Sequence, residues 1–543
     1  MRGTMMDFPL TVTSILRHGA QNYGASEIVT CAGADAEPRR RTFAEVAARA
    51  GQLAGALTRL GVQRDDRVAT FQWNTAEHQE AYLAVPSMGA VLHTLNIRLF
   101  PEQMTYIANH AEDKVIIADH SLLKLLVPLL PTMTTVEHVI VVNGPLDDTA
   151  PDGALSYEDL LAAESPDFDW PEDIDEHAAA AMCYTSGTTG NPKGVAYTHR
   201  STYLHAMAVC SGNASALTEA DKVLPVVPMF HVNAWGYPYA CWMAGADIMY
   251  PASSMSAPLL AQFIKDERPT VTGGVPTIWS DLLRVPDVDL SSLRLLVCGG
   301  SAVPRALMER AAKMGAYIEQ AWGMTETSPI ASVARPPKSV VPDSPEAWRY
   351  RDTAGRVVAG VLARIVDDEG GVLPRDGKAV GEIEVQGPWV TGSYYGDDDP
   401  AKFDRGWLRT GDIGTLDELG FLTITDRSKD VIKSGGEWIS SVELENALMA
   451  HESVAEAAVV GVPDDKWSER PLAAVVLTDG ASVGPDELRD FLAPQVAKWW
   501  LPERWTFVDA IPRTSVGKFD KKVIRKQYAD GELDVTSLDA APR

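Results

Sequence analysis

Tyr184-Thr185-Ser186-Gly187-Thr188-Thr189-Gly190-Asn191-Pro192-Lys193-Gly194 is the stretch on which the reading of this chain turns. It follows the apolar run 178–183, so a buried strand feeds a loop of glycines, hydroxyls and one lysine. Glycines let successive backbone N–H groups converge on an anion, the hydroxyls add donors, and Lys193 brings a charge on a flexible stem. That composition predicts a phosphate loop. It is not the G-x-x-x-x-G-K-S/T type, because Pro192 and Gly194 flank the lysine.

Working outward from the loop, apolar residues recur at helical spacing from Phe43 to Leu60, and Gly61 follows where a C-cap belongs. A strand at 68–71, a helix at 78–89 and β-rich runs at 115–118 and 136–142 continue the alternation. This texture predicts an α/β fold, with layered subdomains and mostly parallel strands in a large N-terminal domain. After Gly355, short β-rich runs at 363–366, 381–386 and 422–425 lie between Gly- and Asp-rich turns and predict a small antiparallel, barrel-like subdomain. The polar stretch 426–430 then precedes a βαβ-like segment at 442–508. The expected division is residues 1–426 and a mobile α+β C-terminal domain of residues 427–543, with a helix at 443–451 and strands at 457–462 and 472–477. The last dozen residues, 532–543, are small and acidic and are expected to fray.

The 543 residues are 45% hydrophobic and 22% charged, an ordinary globular balance that excludes disorder. Lys and Arg number 48 against 74 Asp and Glu, for a net charge of -26, which argues against nucleic acid or an anionic membrane as partner. Any anionic ligand must meet a local positive site. One such segment is 512–526, where Arg513, Lys518, Lys521, Lys522, Arg525 and Lys526 face only Asp520. The cysteines, Cys31, Cys183, Cys210, Cys241 and Cys298, show no C-x-x-C pair, so neither a disulfide framework nor a zinc site is expected. With no leader-like N-terminus and no apolar run near the ~20 residues of a membrane span, a cytoplasmic protein without an integral membrane segment is expected.

Further motifs follow the loop in order: FHVNAW at 230–235, CGGSAVP at 298–304, QAWGMTET at 320–327, RTGD at 409–412, DRSKDVIKSGGEWIS at 426–440 and PRTSVGK at 512–518. Together they resemble the adenylate-forming superfamily of acyl-CoA synthetases, peptide-synthetase adenylation domains and firefly luciferase. Within it the resemblance is strongest to bacterial medium- and long-chain fatty-acyl-CoA synthetases.

The resemblance implies an ATP-dependent ligase that joins a fatty acid to coenzyme A through an acyl-adenylate, releasing pyrophosphate and AMP, with Mg²⁺ as metal. It assigns ATP contacts to Thr185, Ser186, Gly187, Thr188, Thr189 and Lys193, to the wall Gly300, Ser301 and Ala302, and to Gln320, Ala321, Trp322, Gly323, Met324 and Thr325. Asp412 and Arg427 would hold the ribose, and Glu326 with Thr185 would hold the metal. Lys518 would bridge carboxylate and α-phosphate, and His231 would orient the acid. Val232, Trp235, Gly299 and Pro329 would line the acyl pocket, with Trp235 as its gate. Lys429 is the implied hinge, and Lys433, Gly435, Gly436 and Trp438 the CoA side. Trp322 departs from the family's usual Tyr; it should still stack on adenine but forfeits the phenolic hydroxyl. A homodimer through the N-terminal region is implied too. Alternatives are a CoA ligase for a short thioether acid such as 3-methylmercaptopropionate or an aryl acid, an adenylating enzyme that serves a carrier protein, a luciferase-like oxidase, and a non-catalytic nucleotide-binding protein.

Overall fold

The strand Ala179–Tyr184, which leads into the glycine-rich loop, lies inside a seven-stranded sheet. It runs parallel to Val91–Thr94 on one side and antiparallel to Gly194–Thr198 on the other, so the loop closes a hairpin instead of opening a helix. The computed structural model describes residues 1, 3–33, 36–185, 191–397, 399–434, 437–464, 466–514 and 518–538, with Glu437 and Trp438 described by backbone only.

A second sheet carries the site. Lys222–Pro225, Val271–Gly274, Leu295–Cys298 and Ile318–Gly323 pair in parallel and, apart from Lys222 and residues 321–323, are buried, as expected for a parallel sheet covered on both faces. From Ala321 on the pairing turns antiparallel and continues through Ile330–Val333, Gly355–Val357, Phe421–Arg427, Trp407–Leu416, Gly381–Gln386 and Leu362–Val366. The antiparallel unit expected after Gly355 is therefore present, but it is joined to the parallel sheet through Ile318–Gly323. Glycines 273, 274, 299 and 300 sit at or just beyond the carboxyl ends of the parallel strands, where open α/β sheets bind ligands.

Helix ends follow their caps. Phe43–Arg59 starts on a capping box in which the Thr42 hydroxyl accepts from the Glu45 amide and the Glu45 carboxylate accepts from the Thr42 amide. Gly61, at φ +83°, takes the left-handed position that lets the chain leave. Ala76–Ser87 begins two residues earlier than the sequence suggests, because Thr75 caps it. Every residue of that helix is buried, Glu77 and Glu80 included, and Arg39, Arg41 and Arg49 pair with those carboxylates at 2.7–2.8 Å.

Beyond the polar stretch, Val454–Asp464, Ser468–Leu477 and Arg504–Phe507 form a separate sheet with the helices Ser441–Leu448, Pro485–Leu492 and Lys521–Ala529 around it. Thr536–Ser537 pairs with Arg504–Phe507, so the tail expected to fray is held at 536–537 by an open strand edge; 539–543 lie outside the described residues. The strand Phe421–Arg427 keeps its pairing through Arg427, one residue past the expected boundary. Among the described residues, no helix is long and apolar enough to cross a membrane.

Candidate active site

A cavity of about 640 Å³ opens at the carboxyl ends of the parallel strands, and residues from both sides of the polar stretch line it. One wall is set by backbone strain. Val232, Asn233, Ala234 and Trp235 all have positive φ, 39° to 57°, followed by Gly236 at 76°. A left-handed run of non-glycine residues is costly and persists only where its surroundings hold it. Here Asn233 is buried and its side-chain Oδ1 accepts from the Tyr82 hydroxyl at 3.3 Å and the Cys183 thiol at 3.0 Å. The turn aims the Trp235 indole at the strand ends: a Cβ on Gly273 or Gly299 would lie 3.5 Å from the ring. Only Gly236 hints at this turn in the sequence. His231, just before it, is pushed down to about 3 by burial first and then by Lys518 and Arg98, so its ring is neutral at ordinary pH.

On another wall, Asp412 is 3% exposed and both its oxygens are engaged. The Trp322 indole N–H donates to one at 2.9 Å, and Arg427 pairs with the other at 3.1 Å across the register pair Asp412↔Arg427. A carboxylate keeps about four acceptor sites, so room remains on each oxygen. The tryptophan that forfeits a phenolic hydroxyl thus gains an N–H anchor that fixes its ring. Gly323 has no substitute here, since a Cβ would stand 1.7 Å from the Pro329 carbonyl oxygen. Gly300, at φ +86°, Ser301 and Ala302 line the cavity as expected, with Ala321, Met324, Thr325 and Pro329. Gln320 lines it as well, but its amide accepts from Val303 N at 2.8 Å and donates to Thr353 O, so it props the wall. Lys433 does not line the cavity; its amide is tied to Glu469 at 2.8 Å.

The loop is pinned at its base: Thr185 N donates to Lys193 O at 2.9 Å and Lys193 N to Thr185 Oγ1 at 3.1 Å. Lys193 Nζ reaches Asp399 at 2.7 Å and Asp397 at 3.2 Å, and lies 4.8 Å from the Tyr394 ring centre. Those carboxylates hold its pKa above the usual lysine value. The Tyr394 hydroxyl in turn donates to Glu326 Oε1 at 2.7 Å, and Thr391 N donates to the Glu326 carbonyl at 2.8 Å. Sequence reading missed Tyr394, Asp397 and Asp399, although an aromatic pair before an Asp run was a signal; nothing marks Lys402, a further lining cation that burial pushes down. Ser186, Gly187, Thr188, Thr189, Gly435, Gly436 and the Trp438 side chain lie outside the described residues.

Lys518 enters the same cavity from the C-terminal side. Its loop is closed by Thr514 N donating to Lys518 O at 2.8 Å, and its Cε would stand 3.8 Å from a Cβ on Gly300. Burial, with Arg427 and Lys429 adding repulsion, pushes its amine down to about 8, against the pull of Asp412 and Glu326. The rest of the cationic segment is more nearly neutral than its sequence suggests. Arg513 pairs with Glu456, Lys521 with Glu445 at 2.7 Å, Arg525 with Asp430 at 2.8 Å and Lys526 with Asp530. Lys429 lines the cavity, and its carbonyl accepts from Arg525 at 3.4 Å.

An anion drawn into this cavity would meet Lys193, Lys402, Arg427 and Lys518 beside a buried carboxylate, Glu326. Only one of the Glu326 oxygens has a partner among the described residues, which leaves the other open to a cation. Such a set can neutralise a phosphate chain while holding a second anion next to it.

The pattern of the AMP-binding enzyme family matches residues 16–395, and that of the AMP-binding enzyme C-terminal domain matches 443–518. A long-chain-fatty-acid–CoA ligase of Thermus thermophilus is 46% identical over 97% of both chains. A 3-methylmercaptopropionyl-CoA ligase of Ruegeria pomeroyi is 43% identical over 98% of this chain and 99% of its own. Among solved structures, the anthranilate CoA ligase AuaEII with anthranoyl-AMP superimposes with a TM-score of 0.87 at 26% identity, over 98% of this chain and 100% of its own. ATP-bound MatB from Rhodopseudomonas palustris gives 0.83 at 28%, over 96% and 99%. The chain belongs to the AMP-binding enzyme family.

Proposed function

We propose that this protein is an AMP-forming fatty-acid–CoA ligase acting on medium- to long-chain acids. The supporting observation is that Lys518 shares one cavity with Trp322, Asp412, Arg427 and Glu326, the groups for carboxylate activation and for nucleotide. In the first step a carboxylate oxygen attacks the α-phosphorus of ATP, the bond to the β-phosphate oxygen breaks, and pyrophosphate leaves. Lys518 lies between the two anions and offsets their repulsion, while neutral His231 holds the acid without adding charge. Trp322 stacks on adenine and Asp412 receives the ribose hydroxyls, with Arg427 steadying both. Lys193 exchanges Asp397 and Asp399 for the outer phosphates. Glu326, with the Thr185 hydroxyl, would hold a magnesium ion that keeps most of its waters and supplies charge neutralisation at the phosphates. In the second step the C-terminal domain turns about Lys429, and the thiol of coenzyme A attacks the acyl carbonyl; a C–S bond forms, AMP leaves, and the thiol proton goes to solvent. The five free cysteines support a reducing, cytoplasmic setting.

A second reading, a ligase for short thioether acids, is favoured by the Ruegeria relative. Purified protein with Mg²⁺, ATP, CoA and straight-chain acids from C4 to C18 plus 3-methylmercaptopropionate should release AMP and acyl-CoA, with kcat/KM peaking at C8 or beyond. A peak at the thioether acid would replace the fatty-acid reading, and no AMP with any acid would sink both.

A further inference from the structure

Past Trp235 the cavity extends between Val209, Ala214, Val297 and Val333, an apolar sleeve suited to a hydrocarbon chain. Two polar groups interrupt it. Glu319 is one, but Arg335 saturates it at 2.8 and 3.0 Å, leaving nothing to offer a ligand. The other is a pair of hydroxyls, Ser215 Oγ and Tyr237 Oη, 3.1 Å apart. Ser215 is 4% exposed and Tyr237 2%. Each hydroxyl carries one proton, and among the described residues each has only the other as partner. Whichever donates, the second proton is unmatched in a buried site.

The pair is also held in place. Arg294 donates to the Ser215 carbonyl at 2.9 Å and Arg335 to that of Ala214 at 2.8 Å, while Ser215 N donates to Val209 O at 3.1 Å. A rigid, spare donor in an otherwise apolar sleeve discriminates by leaving itself unpaired when the ligand has no acceptor.

We propose that Ser215 and Tyr237 form a recognition site, within the acyl pocket, for a hydrogen-bond acceptor carried on the chain of the acid: an oxo, ether or hydroxyl oxygen. The inference rests on the acyl-CoA ligase reading and narrows its substrate class from plain alkyl acids to chains with an internal or terminal oxygen. An oxygen at the right carbon satisfies the free proton; an alkyl chain of equal length does not.

The test compares octanoate with its 4-, 5-, 6- and 7-oxo derivatives in the wild-type chain and in the double variant Ser215→Ala/Tyr237→Phe, which removes both protons without adding volume. Both kcat/KM for AMP release and equilibrium binding of each acid are measured. One oxo position should exceed its neighbours by about three- to tenfold in binding, the worth of one net hydrogen bond, and the peak should vanish in the double variant, where octanoate binds at least as well as before. A flat binding profile in the wild type, or a peak that survives in the double variant, overturns the assignment. Peaked binding without AMP release keeps the recognition site and overturns the ligase reading instead.

Discussion

Lys518 is a cation kept at low comfort. Burial brings its amine to about 8, well below the ordinary 10.5 of lysine. The part in adenylation proposed for it needs the charged form, which is full below that value and is lost as pH rises through it. For the free enzyme, kcat/KM for ATP in the adenylation half-reaction should therefore fall above about pH 8. His231, neutral down to about 3, imposes no acid limb in the working range. Lys518→Arg replaces the amine by a guanidinium that stays charged; the variant should be slower, yet its alkaline limb should disappear. Pyrophosphate–ATP exchange measured from pH 6 to 10 reads both limbs, and an unchanged alkaline limb in Lys518→Arg would show that another group titrates. The same residue also shows what a motif conveys. PRTSVGK marks Lys518, but its depressed pKa comes first from burial and then from Arg427 and Lys429, about ninety positions away in the chain.

The elements around the linker explain how that lysine is held. The penultimate residue of the strand Phe421–Arg427 is Asp426, whose carboxylate accepts from Ser441 N at 2.8 Å and from the Ser441 hydroxyl. Ser440, the cap of helix Ser441–Leu448, donates to Thr425 O, and Lys521 Nζ joins Ser441 Oγ to Glu445. Thr425 and Asp426 precede the proposed pivot at Lys429; their partners follow it. A turn about Lys429 must break the contacts across the pivot, so they favour the orientation in which Lys518 lies in the cavity. Ser441→Ala should lower pyrophosphate–ATP exchange by about tenfold or more, the worth of one charge-assisted hydrogen bond, and leave conversion of synthetic acyl-adenylate to acyl-CoA unchanged or faster. Equal losses in both half-reactions would mean that the contact serves folding only. Contacts of this kind are where sequence reading stops. Strand and helix periods placed the elements they named to within a few residues, and the motifs named part of the cavity's lining, from Thr185 to Lys518. Tyr394 on Glu326, Asp399 on Lys193, Trp322 on Asp412 and Ser215 beside Tyr237 join residues 22 to 206 positions apart, and none belongs to a local pattern. The left-handed run 232–235 escaped for a different reason: its strain is imposed by Tyr82 and Cys183, not chosen by its own residues.

The molecule carries -26, yet the cavity proposed for its anionic substrates is lined by cations that come from two separately packed bodies. The apolar clusters confirm the separation. Those built from residues 432–538 share no member with those built from residues 12–424, so among the described residues no core crosses the polar stretch. What does cross it is polar: Asp426 with Ser441, and Lys518 facing Gly300 and the Asp412–Arg427 pair. Bodies joined in this way should unfold separately, because two-state behaviour needs a shared core. A ligand that binds both of them in one orientation couples their unfolding, stabilising each by mass action. Calorimetry of the free protein should thus show two transitions, the smaller from the C-terminal body. A non-hydrolysable acyl-adenylate analogue at about a hundred times its Kd stabilises the liganded state by about 2.7 kcal/mol, which should raise both transitions and draw them together. In Lys518→Ala the analogue loses its main contact from the C-terminal side, so only the larger transition should move. A single transition without ligand would contradict the separation of cores. Equal shifts in Lys518→Ala and wild type would mean that Lys518 does not carry the coupling, which would then pass through contacts such as Asp426–Ser441 and Thr425–Ser440.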